Sequence, residues 1–305
     1  MRYEEFERER LDPIYEIIEP YSEMKKNERY FLNGIIRALK PKKILEVGVS
    51  AGGGTSIILN AISDIDGAKL YSIDYSQTAF FFPDKPSGFL VEEKFPQFMD
   101  KWQIFRGGDA SRHIEKVGGD IDLFMLDTAH THPWETMNFL CVLPFLKRNF
   151  SWTVLHDITL YTDPNGRLST NACRYLFGHV VSEEKITPAP DNEAIGFSNI
   201  RAFKVSDCTF DHVNNLLESL LIPWDRTVGK NDREDIRKII EKYYSPEQYE
   251  FFVKALKFQD YLAEHPASFK NVIKTVMKHG TPGMFNFLRK IKHSVSRNRA
   301  TKMEV

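Results

Sequence analysis

The 305-residue chain predicts an α/β fold on a mostly parallel sheet, and three observations carry that expectation. Between residue 44 and about 160, short apolar runs at 44–49, 70–74, 102–105, 121–127 and 153–157 alternate with helix-patterned segments, as in a parallel sheet covered on both faces. The first run breaks at a glycine-rich turn containing Gly48, Gly52, Gly53 and Gly54, then reopens as a helix-like stretch at 56–62. That is the strand–loop–helix arrangement that cradles nucleotide-like ligands. Finally, Glu46, Asp74, Asp109, Asp127 and Asp157 all fall at or near the carboxyl ends of these runs, where such sheets bind ligands.

Before the first run, residues 1–43 read as helical. Tyr30, Phe31, Gly34, Ile35 and Leu39 recur at helical spacing until Pro41 stops the pattern, and this helix is expected to pack on the sheet and border a ligand. Between 75 and 98 an aromatic, proline-containing insert (Phe80, Phe81, Phe82, Pro83, then Pro86, Ser87, Gly88, Phe89) is longer than most connections. It reads either as a lid or substrate wall or as a surface elaboration tucked onto the core. Residues 196–204 read as the last strand. From 206 the pattern becomes helical: Val213, Leu216, Leu217, Leu220 and Leu221 form one stripe, and Ile236, Ile239, Ile240 and Tyr243 another. Ser245, Pro246, Glu247 and Gln248 form a helix start, followed by an amphipathic helix over 249–262. The organisation is thus an N-terminal helical segment (1–43), a ligand-binding domain (44–205) and a helical appendage (206–305). The appendage ends in a basic stretch with Arg289, Lys290, Lys292, Arg297, Arg299 and Lys302, read as a solvated tail.

Composition narrows the function. Hydrophobic residues make up 42% of the chain, ample for a core, and 41 basic residues balance 42 acidic ones, so nothing points to nucleic acid. No run approaches the ~20 apolar residues of a membrane span. The charged N-terminus does not fit a secretory signal. Cys141, Cys173 and Cys208 are scattered without metal spacing and read as reduced thiols of a cytoplasmic protein. A homo-oligomer is left open.

The ligand is narrowed by what the loop lacks. A phosphate loop ends in Gly-Lys-Ser/Thr, and here Gly54 stands at the lysine position; a dinucleotide loop needs G-x-G-x-x-G, and the chain has Glu46-x-Gly48-x-x-x-Gly52. An acid beside the loop repels pyrophosphate but suits a cationic ligand with an amino group. S-adenosylmethionine, with its sulfonium, ammonium and ribose, meets that description. Gly48 and Gly52 would allow close backbone approach, and Asp74 at the second strand's end stands where a ribose diol is held.

A second constellation bears chemistry. Asp127, with His130 and His132 just after it, ends one strand, and His156-Asp157 ends the next. Asp127, His156 and Asp157 can converge on a divalent cation such as Mg²⁺ or Mn²⁺. A cation there would lower the pKa of a substrate hydroxyl, and His130 would take its proton. For Asp127 and Asp157 the alternative is helix capping, and for His156 a packing role. His132, His113, His179 and His212 read as ordinary histidines.

On these residues the chain resembles the class I S-adenosylmethionine-dependent methyltransferases, within them the small-molecule O-methyltransferase group that includes macrocin O-methyltransferase-like and cephalosporin-hydroxylase-like proteins. The resemblance spans roughly residues 30–205. Leu45-Glu46-Val47-Gly48 with Gly52 matches the cofactor loop, Asp74 the ribose-binding acid, and Gly108-Asp109-Ala110 the adenine-side segment. Leu126-Asp127-Thr128-Ala129-His130 resembles the Asp-x-x-His element, and Leu155-His156-Asp157 the second metal-binding element. The resemblance implies a Rossmann-like, seven-stranded, mostly parallel sheet with an antiparallel last strand, N-terminal helices and a C-terminal helical appendage. It also implies metal ligation by Asp127, His156 and Asp157, with His130 as base and a small hydroxylated acceptor, sugar or natural product. There are two departures: Lys147-Arg148-Asn149-Phe150-Ser151 replaces the usual Pro-Gly-Gly turn, and His156 stands where several metal-dependent relatives carry an acid. Two other readings remain open at this stage: a cofactor-binding scaffold without turnover, and a hydroxylase or nucleotide-binding oxidoreductase on the same fold.

Overall fold

The structure is a computed structural model, and it describes residues 1–159, 172–190 and 197–265. Short 3₁₀ turns lead into α1 (Asp12–Ile18) and α2 (Lys26–Leu39), whose interior carries ten buried residues. The chain then enters β1 (Lys43–Val47), turns through the glycine loop into α3 (Gly53–Ile62), and returns as β2 (Lys69–Asp74). The insert follows as a two-stranded antiparallel hairpin, β3 (Thr78–Ala79) and β4 (Phe82–Pro86), and a short helix α4 (Phe89–Lys94). Next come β5 (Trp102–Arg106), α5 (Ala110–Val117), β6 (Leu123–Leu126), α6 (Trp134–Val142) and β7 (Trp152–Leu155). Beyond them lie α7 (Ala172–His179), β8 (Lys185–Ile186) and β9 (Arg201–Lys204).

The main sheet has seven strands in the order β5-β2-β1-β6-β7-β9-β8. Pairing is parallel from β5 through β7, while β9 runs antiparallel to both neighbours. This is the seven-stranded, mostly parallel sheet expected, with the last strand antiparallel. Alternation along each strand sends side chains to two cores. Leu45, Val47, Phe124, Leu126 and Phe203 join α5 and α6 on one face. Ile44, Leu123, Met125, Val154 and Ala202 join α2 and α3 on the other.

Several strands are shorter than their apolar runs. β1 stops at Val47 because Gly48 takes φ +95°, and β7 stops at Leu155, short of Asp157 at φ 59°; left-handed residues cannot continue a strand. The last strand begins at Arg201, and residue 196 lies outside the described residues. Neither the two-residue β8 nor the β3–β4 hairpin was expected, since such short strands carry too few residues for a period to register.

The appendage begins as α8 (Asp207–Asp211), α9 (Val213–Ser219), α10 (Lys230–Tyr243) and α11 (Pro246–Glu264). Ser245 and Gln248 form the reciprocal cap read from the sequence: Ser245 N donates to Gln248 Oε1 at 3.0 Å, and Gln248 N to Ser245 Oγ at 3.2 Å. The stripe of α9 and α10 (Val213, Leu216, Leu217, Ile236, Ile239, Ile240) is buried in the same core as Phe139 and Leu143. Met1–Leu256 form one compact unit and Lys257–Val305 a second. The basic stretch 289–302 lies outside the described residues. Among the described residues no helix is long and apolar enough to cross a membrane.

Candidate active site

At the carboxyl ends of the parallel strands lies a cavity of about 1150 Å³. It opens where the chain order reverses, between β1 and β6, the place where open α/β sheets bind ligands. Gly48, Asp74, Asp109, Asp127, His130 and Asp157 all line it. Glu46, Gly52, Ala110 and His156 do not line it but lie just behind those that do.

The glycines serve chain-on-chain packing. A Cβ on Gly48 would fall 1.7 Å from the carbonyl oxygen of Asp127, so the loops after β1 and β6 touch through a residue that must lack a side chain. Gly52, at φ +99°, meets the backbone of Gly88 at 3.2 Å in the same way. Asp74 holds the loop in place: its Oδ2 accepts from Val49 N (3.1 Å), Ser50 N (2.8 Å) and Ser87 Oγ (2.6 Å), and its Oδ1 from Ser76 N (2.8 Å). A carboxylate has about four acceptor positions, and the crowding on Oδ2 leaves Oδ1 the freer oxygen for a ligand hydroxyl.

Glu46 lies beneath the loop, 2% exposed, and its Oε2 accepts from Thr55 Oγ1 (2.8 Å) and Ser72 Oγ (2.7 Å). Burial outweighs these two bonds and pushes its carboxyl up to about 8. Asp109 caps α5 by accepting from Ser111 N at 3.0 Å; burial, with the charge of Asp232 adding to it, also raises its pKa. Ala110 is fully buried, its N–H donating to Asn138 Oδ1 at 3.1 Å.

At the other end the acids and histidines of β6 and β7 meet. His130, at φ 57°, places Nε2 2.9 Å from Asp157 Oδ2 and 3.8 Å from Asp127 Oδ1. Its loop is held by Glu135, fully buried, whose Oε1 accepts from the His130 N–H and from Thr128 Oγ1 (3.1 Å). Burial opposes a charge on His130, but its hydrogen bond to Asp157 and the charges of Asp127, Asp157 and Glu135 win and push it up to about 9. His156 is buried beside it, Nδ1 3.3 Å from Asp127 Oδ2 and 3.5 Å from Asp157 Oδ2, Nε2 3.1 Å from Glu28 Oε2. Asp157 also accepts from Asn199 Nδ2 at 2.6 Å, and His130 and His156 hold its carboxyl well below the usual range against burial.

Ligand atoms of Asp127, His156 and Asp157 all lie within 4.8 Å of one another. Around an ion with 2.0–2.1 Å bonds, neighbouring ligands sit about 3 Å apart, close to the His156 distances. His156 Nδ1 is buried with no hydrogen-bond partner among the described residues. The residues present fit a divalent cation.

His132, before a cis Pro133, packs edge-on against Tyr175, and burial pulls it down to about 4. His113 stacks on Phe105. Sequence reasoning missed Glu28 and Glu23 from the N-terminal segment, Glu135 and Asn199. A glutamate three residues after Lys25 reads as a helix cap, which Glu28 also is, accepting from Lys25 N at 2.7 Å. Nothing in local spacing ties it to a histidine 128 positions away. The insert proves to be both of its readings. Thr78, Ala79, Phe80, Phe81 and Pro83 wall the cavity, while Leu90 and Val91 of α4 are buried in the core.

Strand order, glycine loop and the acids at the strand ends together are the arrangement that the resemblance to class I S-adenosylmethionine-dependent methyltransferases implies. Residues 45–158 match the family described as a methyltransferase domain. Among solved structures, the O-methyltransferase TomG of Streptomyces achromogenes, in complex with SAM, is similar at 14% identity and a TM-score of 0.46, covering 65% of this chain and 88% of that one. SAH-bound PaMTH1 of Podospora anserina is similar at 15% and 0.46, covering 65% and 88%. The O-methyltransferase of Bacillus cereus, in complex with SAH, is similar at 14% and 0.44, covering 64% and 90%. A search of curated protein sequences finds no match.

Proposed function

We propose that the protein is an O-methyltransferase that moves the methyl group of S-adenosylmethionine to a hydroxyl of a small molecule, with a divalent cation, Mg²⁺ or Mn²⁺ on the sequence reading, at Asp127, His156 and Asp157. The observation that carries this reading is that one cavity holds the glycine loop and Asp74 together with Asp127, His130 and Asp157. Cofactor and acid–base groups thus face the same space, and a scaffold without turnover needs only the first set.

Gly48 and the loop N–H groups would receive the methionine portion, with Glu46 and Gly52 supporting the loop from behind. Asp74 Oδ1 would take a ribose hydroxyl, and Asp109 with Ala110 would bound the adenine. A cation supplies Lewis acidity that makes a hydroxyl easier to deprotonate. His130 would accept the hydroxyl proton, which requires the neutral imidazole with its Nε2 freed of the hydrogen it donates to Asp157. Positive charge between Asp127 and Asp157 works against the upward push these acids exert on His130. Methyl transfer itself needs alignment of oxygen and sulfonium more than any covalent help. The exposed aromatics Phe80, Phe81 and Phe197 at the cavity's edge would contact the acceptor. The cysteines Cys141, Cys173 and Cys208 are free, in keeping with a cytoplasmic enzyme.

Radiolabelled S-adenosylmethionine incubated with the protein and a library of hydroxylated metabolites should give a labelled methyl ether, and His130→Ala should slow its formation about 10²–10⁴-fold while cofactor binding persists. Label found on nitrogen or carbon acceptors alone would refute O-methylation.

A further inference from the structure

We propose that the cation site prefers a later transition-metal ion such as Co²⁺ to Mg²⁺, and that Glu28 of helix α2 creates this preference by orienting His156. The inference rests on the metal reading above and adds which ion the site takes and why.

The argument begins with protons. Glu28 is 2% exposed, and its Oε2 is fixed by the Lys25 N–H and faces His156 Nε2 at 3.1 Å. A carboxylate only accepts, so Nε2 carries the hydrogen and the imidazole is held with Nδ1 pointing at Asp127 Oδ2 and Asp157 Oδ2. Three lone-pair-bearing atoms then converge at 3.3 and 3.5 Å on the wall of the cavity. A positive species among them would hold them together. Asp157 cannot swing away, because Asn199 Nδ2 and His130 Nε2 hold its two oxygens.

Mg²⁺ takes oxygen ligands and keeps much of its water, whereas imidazole suits Fe, Ni, Cu and Zn, and affinity for a nitrogen-bearing site rises from Mn²⁺ through Co²⁺. A histidine locked by a buried carboxylate is a better donor still, and its orientation is set before the ion arrives. Glu28 lies far from β7 in sequence and is delivered by the N-terminal helix, so α2 completes the site as well as covering the sheet.

The test is calorimetric titration of the chelator-treated full chain with MgCl₂, MnCl₂ and CoCl₂ separately, with the visible spectrum of the Co²⁺ form as a second readout. Wild type should bind Co²⁺ at least about tenfold more tightly than Mg²⁺, with Mn²⁺ between the two. Glu28→Gln should weaken Co²⁺ binding about 10–100-fold and shift the Co²⁺ absorption, with far-ultraviolet dichroism unchanged. His156→Asp, which makes the set all-oxygen, should abolish the preference. Equal affinities in wild type would overturn the selectivity while leaving the metal reading intact. If no ion binds, a proton on His156 holds the two carboxylates together, and both readings fail. An unaltered Co²⁺ spectrum and affinity in Glu28→Gln would remove Glu28 from the account.

Discussion

Glu46 shows how a motif residue can lie apart from the cavity that its loop helps to form. The sequence marks it as the acid of the cofactor loop, and the structure sets it under that loop, bonded to Thr55 and Ser72, with Trp102 Nε1 donating in turn to Ser72 Oγ at 2.9 Å. Its pKa of about 8 in the fold lies above the free value of 4.5. The folded state therefore keeps a proton that the unfolded chain releases above about pH 4.5, so this contribution is full at low pH and is lost as pH rises through 8. Urea unfolding from pH 5 to 8 should show stability falling by at most about 1.4 kcal/mol per pH unit. Glu46→Gln should flatten that slope; an unchanged slope would mean the group is already ionised in the fold. Glu135 gives a second residue-scale prediction. Glu135→Ala leaves the His130 N–H and Thr128 hydroxyl without their acceptor, and an unpaired buried donor costs about 1–3 kcal/mol. Methyl transfer should fall by about tenfold or more with cofactor affinity retained; an equal loss in both would indicate general unfolding instead. Asp127, His130 and Asp157 were legible because motif and strand end coincide. Glu28, Glu135 and Asn199 were not, because their partners are chosen by tertiary contact and leave no local spacing to read.

At the scale of elements, burial separates what builds the fold from what faces the ligand. Ile240 of α10 is fully buried in the core that also holds Phe139 and Leu143. Ile240→Ala should cost about 2–5 kcal/mol, measured by thermal unfolding, and a loss under about 0.5 kcal/mol would mark the appendage as loosely attached. The β3–β4 hairpin should behave oppositely. Phe80 is 80% exposed at its tip and also lines the cavity. Phe80→Ala should leave stability within about 0.5 kcal/mol yet raise KM for the acceptor, and an unchanged KM would place the acceptor elsewhere. Helices and long strands were legible from period: the stripes at 213–220 and 236–240 are the buried faces of α9 and α10. The hairpin was not, since a two-residue strand has no period and its aromatic tip reads equally as lid or ornament.

Taken as a whole, the molecule gathers the cavity from distant parts of the chain, from Glu23 before α2 to Arg226 before α10. The parallel sheet and its acidic strand ends were readable because each is local. That the N-terminal helix borders the cavity was expected, but the acids it brings, Glu23 and Glu28, and the appendage's Arg226 were not, because they follow from which face of the sheet each helix covers. Such a cavity exists only when these parts are assembled, so a cofactor-like ligand binds the folded state alone and stabilises it by mass action. S-adenosylhomocysteine at 100 times its Kd should add about 2.7 kcal/mol, which for a unit of this size raises Tm by roughly 5–10 °C. Losing Asp74 removes a charge-assisted bond worth roughly 1.5–3 kcal/mol, and Asp74→Ala should weaken binding by about tenfold or more and shrink the shift at the same ligand concentration. NAD should leave Tm unmoved, since the loop lacks the G-x-G-x-x-G spacing that receives a pyrophosphate. A larger shift with NAD than with S-adenosylhomocysteine would assign the cavity to a different cofactor and undo the transfer chemistry built on it.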